Sequence, residues 1–352
     1  SNTEGAQIRY TLNGTDPSAS QGTLYTGPVN ISTTSVVKAI AFKSGLIPTN
    51  VDAQSYIFLD DVLNQPENPP GYPSGTDFGM DADVTTNPTY SGTIKDDLKS
   101  IPTLSMSMPI SSLFGGSGIY TNSGQSGIAW ERAGTVEFIY PDGSPDKQVN
   151  CGVRMQGGVG RSSQFPKHSF RLIFKRQYGD TKLRFPLFRD ASEDADGAVD
   201  TFDSIILRAG FNNTWHRGSS GEENQAQYIR DQFIHNSQLA MGHASCHGTF
   251  FHLYLNGLYW GVYNVVERPN ADFGSSYYGG DKAGWDALNS YPRNVVDGTA
   301  TDWLQAHSIA QGGVADQAGY NALAAYVDMP NLIDYMMVNF FGGNRDWDDH
   351  NW

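Results

Sequence analysis

Two residues near the end of the chain stand at a spacing that could do chemistry. Asp346 and Asn351 lie five positions apart in Asn344-Arg345-Asp346-Trp347-Asp348-Asp349-His350-Asn351-Trp352. A carboxylate on a loop can take the proton of an attacking hydroxyl. An amide oxygen five residues on can hold a divalent cation against phosphates, and together the two suit phosphoryl transfer. Arg345 precedes the Asp, and Asn344 stands where that pattern has a His. Spacing alone does not single out this pair. Asp231…Asn236, Asp316…Asn321 and Asp334…Asn339 repeat it, and Arg230-Asp231 repeats even the Arg-Asp start. Those three aspartates fall in stretches that read as helix, where such a pair is a solvated face. Asp346 follows a helix that ends at Gly342-Gly343, so it belongs on a loop beyond a rigid element.

That helix is predicted from Leu332, Ile333, Met336, Met337, Phe340 and Phe341, apolar pairs repeating every four positions. The pattern predicts a buried helix with Asp328 as N-cap and Pro330 in the first turn. A second helix is expected over Tyr228–Met241, its apolar face carrying Ile229, Phe233, Ile234 and Leu239. Upstream, residues 152–174 read as strand, Gly-rich loop, strand. Gly157 and Gly158 would let backbone approach phosphates, and Arg161, Lys167 and Arg171 are nearby cations. An ordinary hairpin with a solvated basic face fits the same residues. Phe202–Arg208 reads as a buried strand. Thr249–Leu255 and Leu258–Val266 alternate in polarity and are joined by Asn256-Gly257, which predicts a two-residue hairpin turn.

The 352 residues allow two or three domains. A net charge of −14 argues against a nucleic-acid partner. No apolar run approaches the roughly 20 residues of a membrane span. Cys151 and Cys246 could pair or remain free thiols. His243, Cys246 and His247 match no common zinc spacing and read as structural. Residues 190–203 form an acidic loop that departs from a calcium loop in lacking the terminal Glu, so a solvated loop is expected.

Residues 1–60 read as a small β-sandwich fragment, with strands near Ile8–Leu12, Val36–Phe42 and Gln54–Leu59 and turn chemistry at Asn13-Gly14 and Asp16-Pro17. Residues 61–100, rich in Pro and Gly, read as a linker without regular helix. From residue 101 a second domain is expected, with strands at Thr103–Met108 and Thr135–Tyr140.

Two resemblances follow from these residues. Gly5–Pro17, Leu24-Tyr25-Thr26-Gly27-Pro28 and Lys38–Phe42 resemble the chitobiase/hexosaminidase C-terminal-type domain, an immunoglobulin-like sandwich of secreted bacterial proteins. It implies an extracellular or cell-surface setting and a spacer or docking role. The usual earlier strand is missing, which suggests an N-terminus inside a longer protein. Residues 152–352 resemble the CotH family, the spore-coat-type secreted atypical kinases. The carriers are Gly157-Gly158…Arg161-Ser162-Ser163, Pro166–Leu172, Leu183–Phe188, Leu207–Gly210, Ile229-Arg230-Asp231, Tyr254–Tyr263, Val266-Glu267-Arg268 and Asn344…Trp352.

The resemblance implies an α+β fold. A kinase-like two-lobed domain over 101–352, incomplete at its C-terminus, follows the sandwich fragment. It implies transfer of the γ-phosphate of ATP to Ser or Thr hydroxyls of a protein, with Mg²⁺ or Mn²⁺. Asp346 would be the base and Asn351 a metal ligand. Gly157, Gly158, Arg161, Lys167 and Arg171 would face the phosphates, and backbone near Val265–Glu267 would hold the adenine. The family's ion-pair Lys is not identified, and Arg208 lies near its expected place. A second metal-binding Asp is expected beyond Trp352. The alternative is a non-catalytic surface adhesin or carbohydrate-associated module on the same scaffold. The protein substrate is not named by the residues, and further domains of a longer chain are expected as partners.

Overall fold

A computed structural model describes residues 2–144, 146–188, 197–211, 214, 226–289, 294–344 and 347. The elements, in chain order, begin with strands β1 (Gln7–Thr11), β2 (Thr23–Leu24), β3 (Ser35–Phe42) and β4 (Asp52–Tyr56). Short helices α1 (Leu59–Leu63), α2 (Ala82–Thr85) and α3 (Ile94–Asp97) follow. Next come β5 (Thr103–Ser107), α4 (Ile110–Phe114), β6 (Arg132–Ile139), β7 (Lys147–Gln156), β8 (Ser169–Ile173), β9 (Leu183–Arg184), β10 (Thr201–Phe202) and β11 (Ser204–Arg208). The remainder is α5 (Arg230–Ala240), β12 (Gly248–Leu255), β13 (Leu258–Glu267), α6 (Ala271–Tyr278), β14 (Ala287–Asn289), β15 (Asn294–Asp297), α7 (Thr301–Gln311), α8 (Gln317–Ala324) and α9 (Met329–Phe341). The content is mixed α and β. The chain divides into two compact units. One comprises residues 1–185, 203–226 and 249–265; the other comprises 186–202, 227–248 and 266–352.

The first unit is built on a closed barrel in the order β11-β13-β12-β5-β6-β7-β8. Alternation is its cause. Along β8, Phe170 and Leu172 are buried while Ser169 and Arg171 between them are not. Phe138, Phe170 and Phe251 are fully enclosed in the interior. Each such side chain contributes about 1.5–3 kcal/mol by burial. β5 runs parallel to β12 and antiparallel to β6, so the long connection from residue 107 onward returns the chain to both sides of one strand. β12 and β13 are joined at Asn256 (φ 50°) and Gly257 (φ 85°), both left-handed as a tight hairpin turn requires. The expected hairpin is therefore present.

The N-terminal strands form one four-stranded sheet, β2-β1-β3-β4. Residues 1–60 thus contribute a single layer, not the two of a sandwich, and that layer is pinned to the barrel by buried polar groups. Glu137 on β6 accepts from the Ser55 amide and hydroxyl, both at 2.7 Å, and from the Gln54 amide at 3.1 Å. With neutral donors only, burial leaves its carboxyl above the usual carboxylate range. The stretch 61–100 also departs from expectation. Short helical turns form there, and Val62, Leu98 and Tyr254 of β12 share one buried cluster. Proline and glycine limit the length of these helices without forbidding a turn or two.

In the second unit, Asp328 caps α9 by accepting the Asn331 amide, and Pro330 sits in its first turn, both as predicted. Burial of the helix differs. Ile333, Met337, Phe340 and Phe341 are 54%, 57%, 66% and 79% exposed. The side that is covered carries Val338 and Asn339, and Asp334 on that side meets His243 beyond α5 at 2.7 Å. The expected helix over 228–241 is present as α5, where Gln232 is the buried residue and Ile229 and Phe233 are exposed. Periodicity says which residues share a face, not which face another element covers. Cys151 and Cys246 are both buried and are not joined in a disulfide.

Candidate functional site

The Gly-rich corner expected between two strands is formed in the first unit. β7 ends at Gln156, and Gly157 follows with φ 114°, a conformation that side chains avoid. Residues Val159–Arg161 make one 3₁₀ turn. A Cβ at Gly158 would meet nothing, so the backbone there lies open to a ligand. The corner is nevertheless held firmly from behind. His168, buried, lies 2.9 Å through Nδ1 from the Gly160 carbonyl. Burial lowers its pKa, so the neutral ring is the donor to that oxygen. The Ser123 hydroxyl donates to the Arg161 carbonyl at 2.6 Å, and the Tyr120 hydroxyl to the Pro166 carbonyl at 2.5 Å. This is a braced loop, and the reading as a loosely solvated hairpin tip does not describe it.

Lys167 stands just after the corner. Its Nζ donates to the Val262 carbonyl at 3.1 Å and lies 4.7 Å from the centre of the Tyr263 ring. Tyr263 is itself buried and fixed by its hydroxyl to the His168 carbonyl at 2.9 Å. No carboxylate pairs with Lys167 among the described residues. Burial lowers its pKa to about 8, so the ammonium is retained at neutral pH but poorly solvated. A cation in that state gains more than an exposed one from a phosphate.

The other sequence candidates separate. Arg171 alternates outward from the barrel interior and donates to the Ser204 hydroxyl at 3.3 Å. It faces Arg154 across β7, whose guanidinium is neutralised by Glu131 at 2.6 Å. Arg161 donates through Nη1 to the Gln125 carbonyl at 2.9 Å. Lys167, Arg161 and Arg171 thus have different hydrogen-bond partners. Arg208 ends β11.

Glu267 lies in the second unit and is buried, with both carboxylate oxygens engaged. Tyr277 donates to Oε1 at 2.7 Å, while the His247 amide and Nδ1 each approach Oε2 at 2.9 Å. Burial, with the Glu267 charge second, pushes the Tyr277 phenol up. The Glu267 amide also donates to the His247 carbonyl at 3.1 Å. His247 is thus tied to Glu267, as His243 is to Asp334. Among the described residues no three His, Cys, Asp or Glu side chains gather as a metal set. Asp346 and Asn351 lie outside the described residues, as do residues 190–196 of the acidic loop. Trp347, beside Asp346 in sequence, packs edge-on against Tyr335 and Phe340 of α9.

One positioning residue escaped the sequence reading. Gly261, inside β13, has φ 105°, and a Cβ there would stand 2.9 Å from Lys167 Nζ. The signal was a glycine in the middle of an otherwise aromatic, alternating strand, which marks close approach of another group.

Comparison with known families follows this geometry. The model for the chitobiase/beta-hexosaminidase C-terminal domain matches residues 1–52. The model for the CotH kinase protein matches residues 153–352, more than half of the chain. The chain belongs to the CotH family. Among curated proteins the chain has no match. The CotH match begins in β7, immediately before the braced Gly corner, and includes Lys167, Gly261 and both residues of the Asp346…Asn351 pair. Of the described residues, no helix is long and apolar enough to cross a membrane.

Proposed function

We propose that this CotH chain carries an ATP-dependent kinase that acts outside the cytoplasm, transferring the γ-phosphoryl group to Ser or Thr hydroxyls of a protein substrate. The observation that carries the reading is Lys167: a partly buried ammonium without a carboxylate partner among the described residues, beside a glycine corner open at Gly158 and braced at Gly160. Those residues fit a polyphosphate. Lys167 would meet its oxygens, and Gly157 and Gly158 would allow backbone to approach them. Arg161 and Arg171 are proposed to add positive potential to the same ligand, and backbone near Val265–Glu267 to hold the adenine, as a kinase hinge does. The kinase-like two-lobed arrangement is part of the proposal and rests on the family resemblance.

Phosphoryl transfer needs mainly positioning and charge neutralisation, so few groups suffice. ATP supplies the phosphoryl group. Asp346 is proposed to orient the attacking hydroxyl and accept its proton. Asn351 is proposed to be a ligand of Mg²⁺ or Mn²⁺, whose charge would offset that developing on the phosphates. The extracellular setting is supported by the match of residues 1–52 to a domain type that the sequence resemblance associates with secreted proteins.

The test is Asp346→Asn in the protein that shows transfer. The substitution keeps shape and removes the base, so phosphotransfer should fall at least ~100-fold while Mg-ATP still binds. Undiminished transfer by that variant would remove Asp346 from the role. Saturable glycan or cell-surface binding without any affinity for Mg-ATP would favour the adhesin reading instead.

A further inference from the structure

The second unit holds a cavity of about 420 Å³ that the proposed chemistry does not use. Its size falls in the roughly 300–1,000 Å³ range of small-ligand sites. Trp285 forms an aromatic wall. The indole is fixed by donation from Nε1 to the Gly279 carbonyl at 2.9 Å. α6 backs it closely, since a Cβ at Gly274 would stand 2.6 Å from Cε3, and the Tyr278 ring stacks at 5.7 Å. Asp281 and Asp297 also line the cavity. One oxygen of each serves the fold: Asp281 Oδ1 accepts the Ala283 amide at 2.9 Å, and Asp297 Oδ2 accepts the Ala271 amide at 3.1 Å. The second oxygen of each has no partner among the described residues. Lys282 is the one cation in the lining, so the lining carries a net charge of one negative unit from two carboxylates and one ammonium.

We propose that this cavity holds the guanidinium of an arginine side chain in an extended basic peptide. Three features select that ligand. An indole face attracts a cation, and arginine more than lysine because its planar, weakly hydrated guanidinium can stack on a ring. The two outward carboxylate oxygens offer acceptors for its N–H groups. The negative lining repels nucleotides and other anions, and Asp297 already occupies the amide at the start of α6, where an anion would otherwise be drawn. A neutral sugar could stack on the indole but would draw nothing from the charge. The net charge of −14 on the chain adds long-range attraction for a basic peptide, which the test must separate from the cavity itself.

The test uses the 352-residue chain and a blocked Gly-Gly-Arg-Gly-Gly peptide, with binding read from the tryptophan indole N–H resonances. Trp285→Phe assigns the Trp285 signal. The peptide should shift that signal saturably, and the peptide with citrulline in place of arginine should not. Asp281→Asn with Asp297→Asn keeps a side-chain oxygen at each position to accept the Ala283 and Ala271 amides while removing charge, and should weaken binding at least ~tenfold; Asp96→Asn, at an exposed acid on α3, should change it less than ~twofold. Equal loss in the Asp96 variant would reduce the effect to overall charge and overturn the proposal. Absence of a saturable shift, an equal response to citrulline, or a Trp285 shift with a neutral oligosaccharide but not with the arginine peptide would each overturn it too. Circular dichroism of the double variant verifies that loss of binding is not loss of fold.

Discussion

Two lysines in the same unit face opposite situations. The Lys38 side chain is fully enclosed, yet its ammonium meets the Asp16 carboxylate at 2.7 Å and the Ser107 carbonyl at 3.4 Å. Lys167 is only partly covered, yet it has a carbonyl and the face of Tyr263 and no carboxylate among the described residues. A buried charge is tolerated when paired and costly when not. Lys38 is therefore part of the architecture: its charge is neutralised and it ties β3 to the barrel. Lys167 keeps an unneutralised charge beside an open glycine corner. Such a cation is stabilised by whatever anion arrives, and that difference supports the ligand reading for Lys167 and a structural one for Lys38.

The comparison breaks most visibly at Asp16. Asp16→Asn can keep an amide oxygen for the enclosed Lys38 ammonium but removes the carboxylate charge that neutralises it. Removing one member of a fully buried pair costs roughly 3–5 kcal/mol, and because Asp16 is 43% exposed and screened by solvent, a discounted cost of about 2 kcal/mol is expected. Urea unfolding of the variant measures it, and a change under ~0.5 kcal/mol would mean that Lys38 is hydrated after all. Gly261→Ala tests the other lysine from its neighbour. The added Cβ meets Nζ at 2.9 Å and the backbone sits at φ 105°. Strain of that kind costs about 1–3 kcal/mol, and the amine must move off the Val262 carbonyl. Loss of stability with unchanged Mg-ATP affinity would show that the position of Lys167 does not matter to the ligand.

Much of the first unit was legible before any coordinates. Alternation in Phe170-Arg171-Leu172 and the Asn256-Gly257 pair located strands and a turn, because both signals are local. The polar ties between sheet and barrel were not legible. Ser55 and Glu137 lie 82 residues apart, and nothing in either stretch names the other. In the second unit the apolar pairs of α9 identified a helix and its cap correctly but assigned burial to the wrong side, since covering is a property of the neighbour. The candidate site divides along the same line. The glycine corner and Lys167 were found from composition within one stretch. The bracing by Tyr120 and Ser123, and the space left by Gly261, depend on pairings between distant segments. The Asp346…Asn351 pair lies outside the described residues, so its geometry adds nothing to what the spacing says.

The finest test of the comparison is titration. Lys167→Met removes the charge and should weaken Mg-ATP binding about tenfold, the scale of a charge-assisted hydrogen bond of roughly 1.5 kcal/mol, with little loss of stability because no ion pair is broken. The pKa of Lys167 is lowered to about 8 by burial, below its unfolded value, so the side chain is an ammonium at pH 7 and largely an amine at pH 9. Mg-ATP affinity of the unaltered chain should therefore fall as pH rises from 7 to 9, while that of Lys167→Met stays flat. Folding stability should move the other way. A lysine whose pKa is depressed in the folded state binds fewer protons there than when unfolded, so stability rises with pH between about 8 and about 10.4. Other lysines and tyrosines titrate in that window. The difference between the unaltered chain and Lys167→Met isolates the one group. A bound phosphate stabilises the ammonium, so saturating Mg-ATP should shift the Lys167 titration upward. An unmoved titration would place the nucleotide away from Lys167 even if it binds elsewhere in the protein.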